Sequence, residues 1–203
     1  MMEQWLETDE IEEAISALEM AGRSVSRVQE DLHEWRWVII STHIALQGFM
    51  VCALRGSDGL NALKDKNADE WLKAYRQEIP LPKEQLDSFL GLYTKIKTDA
   101  MCFYVHSKPF QPKGAHDSSI RNLNALRNKF IHFIPRMWML DIRGLSTICL
   151  DSLEVMEFLA WECGNVAWAM NDNQQTRAEK AFRRMRHELN ELIQQYKASD
   201  EQA

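Results

Sequence analysis

Residues 24–55 read SVSRVQEDLHEWRWVIISTHIALQGFMVCALR, and this stretch indicates the fold class. One face repeats at helical spacing, through Leu32, Trp35, Val38, Ile39, Thr42, Leu46, Phe49, Met50 and Ala53. Past Trp37 the opposite face is apolar as well, which is typical of a helix buried in the middle of a bundle. We therefore predict a long central helix over about 24–55, ended by the sequence GSDG at residues 56–59.

Part of this helix is apolar enough to resemble a membrane span. Residues 35–54 are mostly hydrophobic, but they include Arg36, His43 and Gln47. A charge and a polar pair would be costly in hydrocarbon. We therefore expect a buried helix of a soluble bundle and no membrane partner.

The rest of the chain also favours helices. Apolar spacing, capping residues and breakers predict them over about 8–22, 67–78, 83–97, 118–133, 145–170 and 173–197. No segment alternates with period two, and 8 Gly and 5 Pro leave little material for a turn-rich β architecture. With 203 residues, we predict one all-α domain over 1–203. It is a helical bundle whose core lies in about 24–55 and 118–170, with additional peripheral helices and a basic C-terminal helix over about 173–198.

The net charge and the cysteines restrict the cellular compartment and the binding partners that we expect for this protein. The formal net charge of −6 argues against broad, non-specific phosphate binding but leaves room for a local site. No two of the four cysteines are spaced as CxxC, so we expect buried free thiols in a reducing compartment. The first residues are acidic and resemble no signal peptide, and we predict a cytoplasmic protein.

The predicted helix over 118–133 carries the candidate site. Its apolar face comprises Leu123, Leu126, Phe130, Phe133 and Ile134. A second, polar face comprises Arg121, Asn124, Asn128 and His132, at spacings of three, four and four. Arg127 lies on the flank of the apolar face, where its guanidinium must find a partner.

The spacing of these residues suggests a site shared between two surfaces. Asn128 and His132 are four apart and can touch, whereas Arg127 and His132 are five apart, about 140° around an ideal helix. They converge only from opposite flanks of a groove or across the axis of a dimer. Histidine transfers protons near neutral pH, arginine binds phosphate, and an amide orients either one. No cluster of carboxylates or thiols suggests a metal, and we expect no cofactor.

The hexapeptide Arg127-Asn128-Lys129-Phe130-Ile131-His132 resembles the R-x(4)-H signature of the HEPN superfamily (higher eukaryotes and prokaryotes nucleotide-binding domains). In that family the motif lies on a helix of an all-α bundle. Many members are metal-independent endoribonucleases of toxin–antitoxin, abortive-infection and CRISPR systems, and two copies pair their motifs into one composite site. The resemblance covers about residues 118–160, and the long preceding helix is compatible with it.

The resemblance implies a homodimeric endoribonuclease that acts as a toxin or an anti-phage defence effector. The implied catalytic residues are Arg127 on the phosphate, His132 as general acid or base, and Asn128 beside them. Around the motif we expect a further set to contact the RNA substrate, comprising Arg121, Asn124, Lys129, Arg136 and Trp138. His43 and Gln47, a polar pair in the central helix, either support this stripe or satisfy each other in the core.

One departure concerns regulation. Members paired with a nucleotidyltransferase antitoxin often carry a tyrosine two residues after the histidine, and this chain has Ile134 there. Control through that tyrosine is therefore doubtful, and a different cognate antitoxin, or none, remains open.

Two other functions fit the same residues. The first is a non-catalytic HEPN-like dimerisation module, with Arg127 and His132 buried and mutually satisfied. The second is a helical bundle that binds a nucleotide or small ligand in a pocket beside His43 and Gln47. The basic cluster of the last helix, which includes Arg177, Lys180, Arg183, Arg184 and Arg186, either contacts RNA or is a solvated face of a docked helix.

Overall fold

The computed structural model describes residues 5–132, 135, 137–168 and 172–200, and it confirms an all-α helical bundle. Within these residues the closest approach to a sheet is one isolated antiparallel bridge between Leu63 and Leu86. The helices are α1 (Glu10–Val25), α2 (Glu34–Leu54), α3 (Asp65–Arg76), α4 (Phe89–Lys95), α5 (His116–Ile131), α6 (Leu145–Glu157) and α7 (Asp172–Asp200). Short 3₁₀ turns occur at Leu60–Ala62 and Asp99–Met101, and a π-helical turn, Phe158–Glu162, extends α6.

Helix α2 lies at the centre of the bundle, as its two apolar faces predict. It packs against α1, α4, α5 and α6, and α7 covers α1 and α6 from the other side. By length and composition α2 could also cross a membrane, but 61% of its most apolar window is buried inside the bundle. Burial of that kind is what a core helix requires.

Helices α1 and α2 form a tight antiparallel pair. A Cβ atom added at Gly48 of α2 would lie 2.7 Å from the Cβ of Ala14 of α1. One turn further along α1, towards its start, Glu10 forms an ion pair with Arg55 at the end of α2. The two small residues therefore let the backbones approach closely.

The predicted start of the central helix at about 24 is wrong, because residues 26–33 form a turn between α1 and α2. In this turn the Asp31 carboxylate accepts a hydrogen bond from the backbone N–H of His33, at 2.8 Å. Val28 is fully buried, so the turn is anchored in the core. This anchor lets α1 fold back along α2, which a continuous helix would prevent.

The predicted helix over 83–97 is reduced to α4, Phe89–Lys95. The preceding segment is extended because the buried side chain of Asn67 binds it on both sides. Its amide donates to the carbonyl of Lys83 at 3.1 Å, and its oxygen accepts from the N–H of Gln85 at 2.7 Å. Asn67 therefore pins a loop and does not cap α3, whose N-cap is Lys64.

The long helix predicted over 145–170 also ends earlier. Gly164 has a φ of +79°, and a Cβ there would lie 2.9 Å from the carbonyl oxygen of His106, so only glycine fits. The next residue, Asn165, donates to the carbonyls of Ala53 and Met101, each at 2.8 Å, and accepts from Ser107 at 2.6 Å. This amide joins three segments of the chain immediately after the helix. Met170, at the predicted end, lies outside the described residues.

Candidate functional site

Helix α5 carries the motif and runs antiparallel to the first half of α2. Asn124 of α5 contacts His43 of α2, and one and a half turns later Phe130 shares a cavity with Arg36. The buried residues Ile120, Leu123 and Leu126 hold α5 against the bundle. The polar residues of the two helices therefore meet along their common edge.

The structure corrects the predicted position of His132. Helix α5 ends at Ile131, and His132 is the C-cap, with φ −95° and ψ 92°. Its backbone N–H still donates to the carbonyl of Asn128 at 2.9 Å, but its side chain is exposed and bonds to no described residue. The angle of 140° between Arg127 and His132 therefore does not apply, because His132 lies outside the helix. Phe133 and Ile134, assigned to the apolar face, lie outside the described residues.

Arg127 is half-buried on α5 and is held by its neighbour. Its Nη1 donates to the side-chain oxygen of Asn128 at 3.0 Å, so the amide bonds to the arginine and not to His132. The Nε of Arg127 is buried without a hydrogen-bond partner among the described residues. A buried donor without a partner costs about 1–3 kcal/mol.

His43 is a buried, neutral member of the same edge. It is 2% exposed, stacks on Phe89 at 3.9 Å between ring centroids, and its Nε2 lies 3.2 Å from the Oδ1 of Asn124. Burial lowers the pKa of His43 to about 4; the hydrogen bond to Asn124 opposes this, and the charge of Arg127 lowers it further. At neutral pH His43 is therefore a hydrogen-bond donor that orients Asn124, not a carrier of protons.

The other residues predicted for the site are dispersed. Arg121 is exposed near Asp117 and Tyr93, about three turns from His132, and Lys129 is exposed. Gln47 is half-buried and makes no hydrogen bond within the part of the chain that the structure describes. Trp138 is 43% exposed and packs on Phe130, with ring centroids 5.2 Å apart. Arg136 lies outside the described residues.

Trp35 and Arg36 of α2 lie beside the site, although the sequence pattern did not assign them to it. Trp35 and Arg36 line a cavity of about 310 Å³ together with Leu32, His33, Phe130, Trp138, Leu140 and Ile142. The indole Nε1 of Trp35 and the Nε of Arg36 are both buried without a hydrogen-bond partner in the described structure. The sequence held a signal for the arginine, since residues 36, 40, 43 and 47 lie on one face of a helix.

A second polar cluster joins α5 to α6, and its hydrogen bonds argue against a metal. His116, Asp151 and Glu154 have potential ligand atoms within 4.8 Å of one another. The N–H of Lys113 donates to His116 Nδ1 at 3.1 Å, which leaves the proton of the neutral ring on Nε2, 3.0 Å from Glu154. Asp151 accepts a hydrogen bond from Ser119. Each group has a partner that explains it, and Nε2 has no lone pair to offer a cation.

Two arginines of the basic cluster of α7 are paired with acids of neighbouring helices. Arg177 bonds to Glu12 and Glu19 of α1, and Arg186 pairs with Glu157 of α6. These ion pairs dock α7 on the bundle. The arrangement agrees with a docked helix and leaves fewer free charges for RNA than the sequence suggests.

No protein-family model, no curated protein and no solved structure matches this chain. The assignment of a function therefore depends on the residues themselves.

Proposed function

We propose that this protein is a metal-independent endoribonuclease of HEPN type that acts as a homodimer in the cytoplasm, as a toxin or an anti-phage defence effector. Its RNA is cleaved at a composite site to which each copy contributes Arg127, Asn128 and His132. The proposal combines the resemblance of residues 127–132 with the geometry of the end of α5.

One observation carries the proposal. Arg127 is fixed by Asn128 with a buried donor left unpartnered, and His132 follows on the surface with its ring free of described partners. A positioned guanidinium beside an accessible imidazole is the minimum that phosphodiester cleavage without a metal requires. A structural ion pair would satisfy the Nε of Arg127, and a solvated stripe would not bury it.

The proposed chemistry uses these groups directly. The ribose 2′-oxygen attacks the adjacent phosphorus, and the bond from phosphorus to the 5′-oxygen breaks. One His132 takes the proton of the 2′-hydroxyl, and His132 of the second copy gives a proton to the departing 5′-oxygen. Arg127 binds the non-bridging oxygens, whose negative charge grows in the transition state. The products are a 2′,3′-cyclic phosphate and a 5′-hydroxyl.

Exposed apolar residues beside the motif support the homodimer. Trp37 and Ile44 of α2 are 51% and 45% exposed and lie two turns apart on one face. Ile131, the last residue of α5, is 37% exposed. Burying these side chains against a second copy would bring the two motifs together, as a site with two histidines requires.

The test is cleavage of single-stranded and hairpin RNAs by the purified protein in EDTA, with analysis of the product ends. We expect 2′,3′-cyclic phosphate ends from the wild type and at least a 100-fold loss of rate in His132→Ala. Arg127→Lys keeps the charge but loses the planar fork, and should lose rate without unfolding. His106→Ala, at another exposed histidine, is the matched control and should cleave normally.

The same cleavage assay also tests whether the active form is a dimer. Excess His132→Ala protein, exchanged into wild-type dimers, should suppress cleavage, whereas a monomeric enzyme would be unaffected. Cleavage that needs a divalent metal, or that survives in His132→Ala, would refute the proposed mechanism.

The second candidate is a non-catalytic dimerisation module. The exposed apolar side chains of α2 and α5 favour it as much as they favour the enzyme. A folded dimer that cleaves none of the RNAs, and whose dimerisation is weakened by Trp37→Ala, would support this alternative. A small-ligand binder has less support, because His43 is packed against Phe89 and neither His43 nor Gln47 lines the cavity beside Arg36.

A further inference from the structure

The cavity of about 310 Å³ between α2 and the end of α5 has the features of a ligand site. It lies one turn beyond Arg127, because Phe130 forms part of its wall. Its volume is at the lower end of the range for small-molecule sites and is sufficient for one nucleotide unit. The remaining wall comes from the start of α2 and from the segment that leads into α6.

Two residues of the cavity wall, Trp35 and Arg36, carry hydrogen-bond donors without acceptors. Trp35 is 1% exposed, and its indole Nε1 has no hydrogen-bond partner among the described residues. The Nε of Arg36 is likewise buried without a hydrogen-bond partner, and no described residue forms an ion pair with its guanidinium. Indole and guanidinium N–H groups only donate hydrogen bonds, so a ligand that bonds to either residue must present acceptors. None of the described residues that line the cavity is acidic, which also favours an electron-rich or anionic ligand.

Apart from His33, the other described residues of the wall are aromatic or aliphatic. Trp138 lies at the rim, 43% exposed, with its ring tilted by 58° to that of Phe130. A planar ring system that stacks on Trp138 would cover its exposed part, and a nucleobase combines such a ring with carbonyl and ring-nitrogen acceptors. An aliphatic ligand would satisfy the walls but leave both donors unpaired.

We propose that this cavity binds one nucleobase of the RNA strand, stacked on Trp138, with Arg36 donating to an oxygen of the same nucleotide. This inference rests on the proposed function and adds to it a subsite that selects which nucleotide lies next to the cleaved phosphate. The position of the bound base next to the cleaved phosphate follows from the sequence, since the cavity residue Phe130 lies between Arg127 and His132 in the motif.

The test uses RNA that cannot be cleaved, so that binding is measured apart from catalysis. Fluorescein-labelled, fully 2′-O-methylated hexanucleotides of each single base are titrated with the protein, and fluorescence anisotropy gives the dissociation constants. Trp138→Ala should weaken binding of the preferred hexanucleotide about 5- to 150-fold, the range for one stacked base. Trp138→Phe should keep most of the affinity, and Arg36→Gln should weaken binding as well.

The matched control is Met139→Ala, at a neighbouring residue that is 95% exposed and does not line the cavity. Equal affinities of Trp138→Ala and Met139→Ala, with both proteins folded by circular dichroism, would overturn the subsite. A wild type that binds none of the hexanucleotides would also overturn it.

The outcomes separate the two proposals. A wild type that binds but does not cleave ordinary RNA, with binding lost in Trp138→Ala, would keep the subsite and refute the ribonuclease. A wild type that cleaves, with cleavage and binding unchanged in Trp138→Ala, would keep the ribonuclease and refute the subsite.

Discussion

The buried His43 makes the stability of the bundle depend on pH in a calculable way. Burial lowers its pKa from 6.5 to about 4, so the folded state resists protonation that the unfolded state accepts. Well above pH 6.5 both states are neutral and the full stability is present. As the pH falls from 6.5 towards 4, the unfolded chain gains a proton and stability is lost. The total loss is about 3 kcal/mol, of which about 2 kcal/mol appears by pH 5.

The assay is urea denaturation at pH 7, 6 and 5, at one protein concentration, for the wild type and His43→Gln. The variant removes the titrating group, so the difference in unfolding free energy between the two proteins isolates it from the carboxylates. That difference should shrink by about 2 kcal/mol between pH 7 and pH 5. His33→Gln, at an exposed position just before α2, controls for the loss of a histidine.

The reasoning would be refuted if the difference between wild type and His43→Gln stayed constant within about 0.5 kcal/mol over this range. That result would mean that the ring is solvated or that a buried acceptor compensates the charge. Repeating the measurement with Arg127→Gln tests the second cause named for the low pKa. Removing that positive charge should make the loss of stability smaller.

Three further predictions concern packing, thiol reactivity and a hydrogen-bond junction. Gly48→Ala should lower the unfolding free energy, measured by urea denaturation, by about 1–2 kcal/mol. The new Cβ would lie 2.7 Å from that of Ala14, and this clash costs more than alanine contributes to helix propensity. The double variant with Ala14→Gly should recover part of the loss. Burial raises the pKa of Cys149 to about 12, so this thiol should react with Ellman's reagent only on unfolding. The exposed Cys102 should react quickly. A fast phase that survives in Cys102→Ser would contradict this expectation. Asn165→Ala removes a donor from the carbonyls of Ala53 and Met101 and the acceptor of Ser107, and should cost about 2 kcal/mol in thermal unfolding. An unchanged melting temperature would show that water replaces the amide.

Periodicity was sufficient for the fold class but not for the ends of the helices. The central helix was predicted about ten residues too long because residues 26–33 contain no glycine or proline. The local signal was Asp31, placed three residues before Glu34 as in a capping motif. The helix over 83–97 failed for a different reason, since the partner that holds residues 83–85 extended is Asn67, which is distant in sequence.

The same limits apply to the site. The spacing of α5 predicted a polar edge, and the contact between His43 and Asn124 lies on it. The end of α5 at Ile131 was predicted two residues too late, because nothing in residues 127–132 breaks a helix. Arg36 was seen only as a charge in an apolar stretch, since its lack of a partner is visible only in three dimensions. The expected burial of all four thiols is wrong for Cys102, which is exposed.

The end of α5 divides the motif between two kinds of backbone. Arg127 and Asn128 are carried by a helix whose buried Leu123 and Leu126 set its position against α2, whereas His132 follows the last helical residue. Natural selection can therefore adjust the arginine through core substitutions and the histidine through the segment that follows. For enzyme engineering, the same division suggests two separate libraries, one at the buried positions of α5 and one at residues 137–140, whose effects should combine additively.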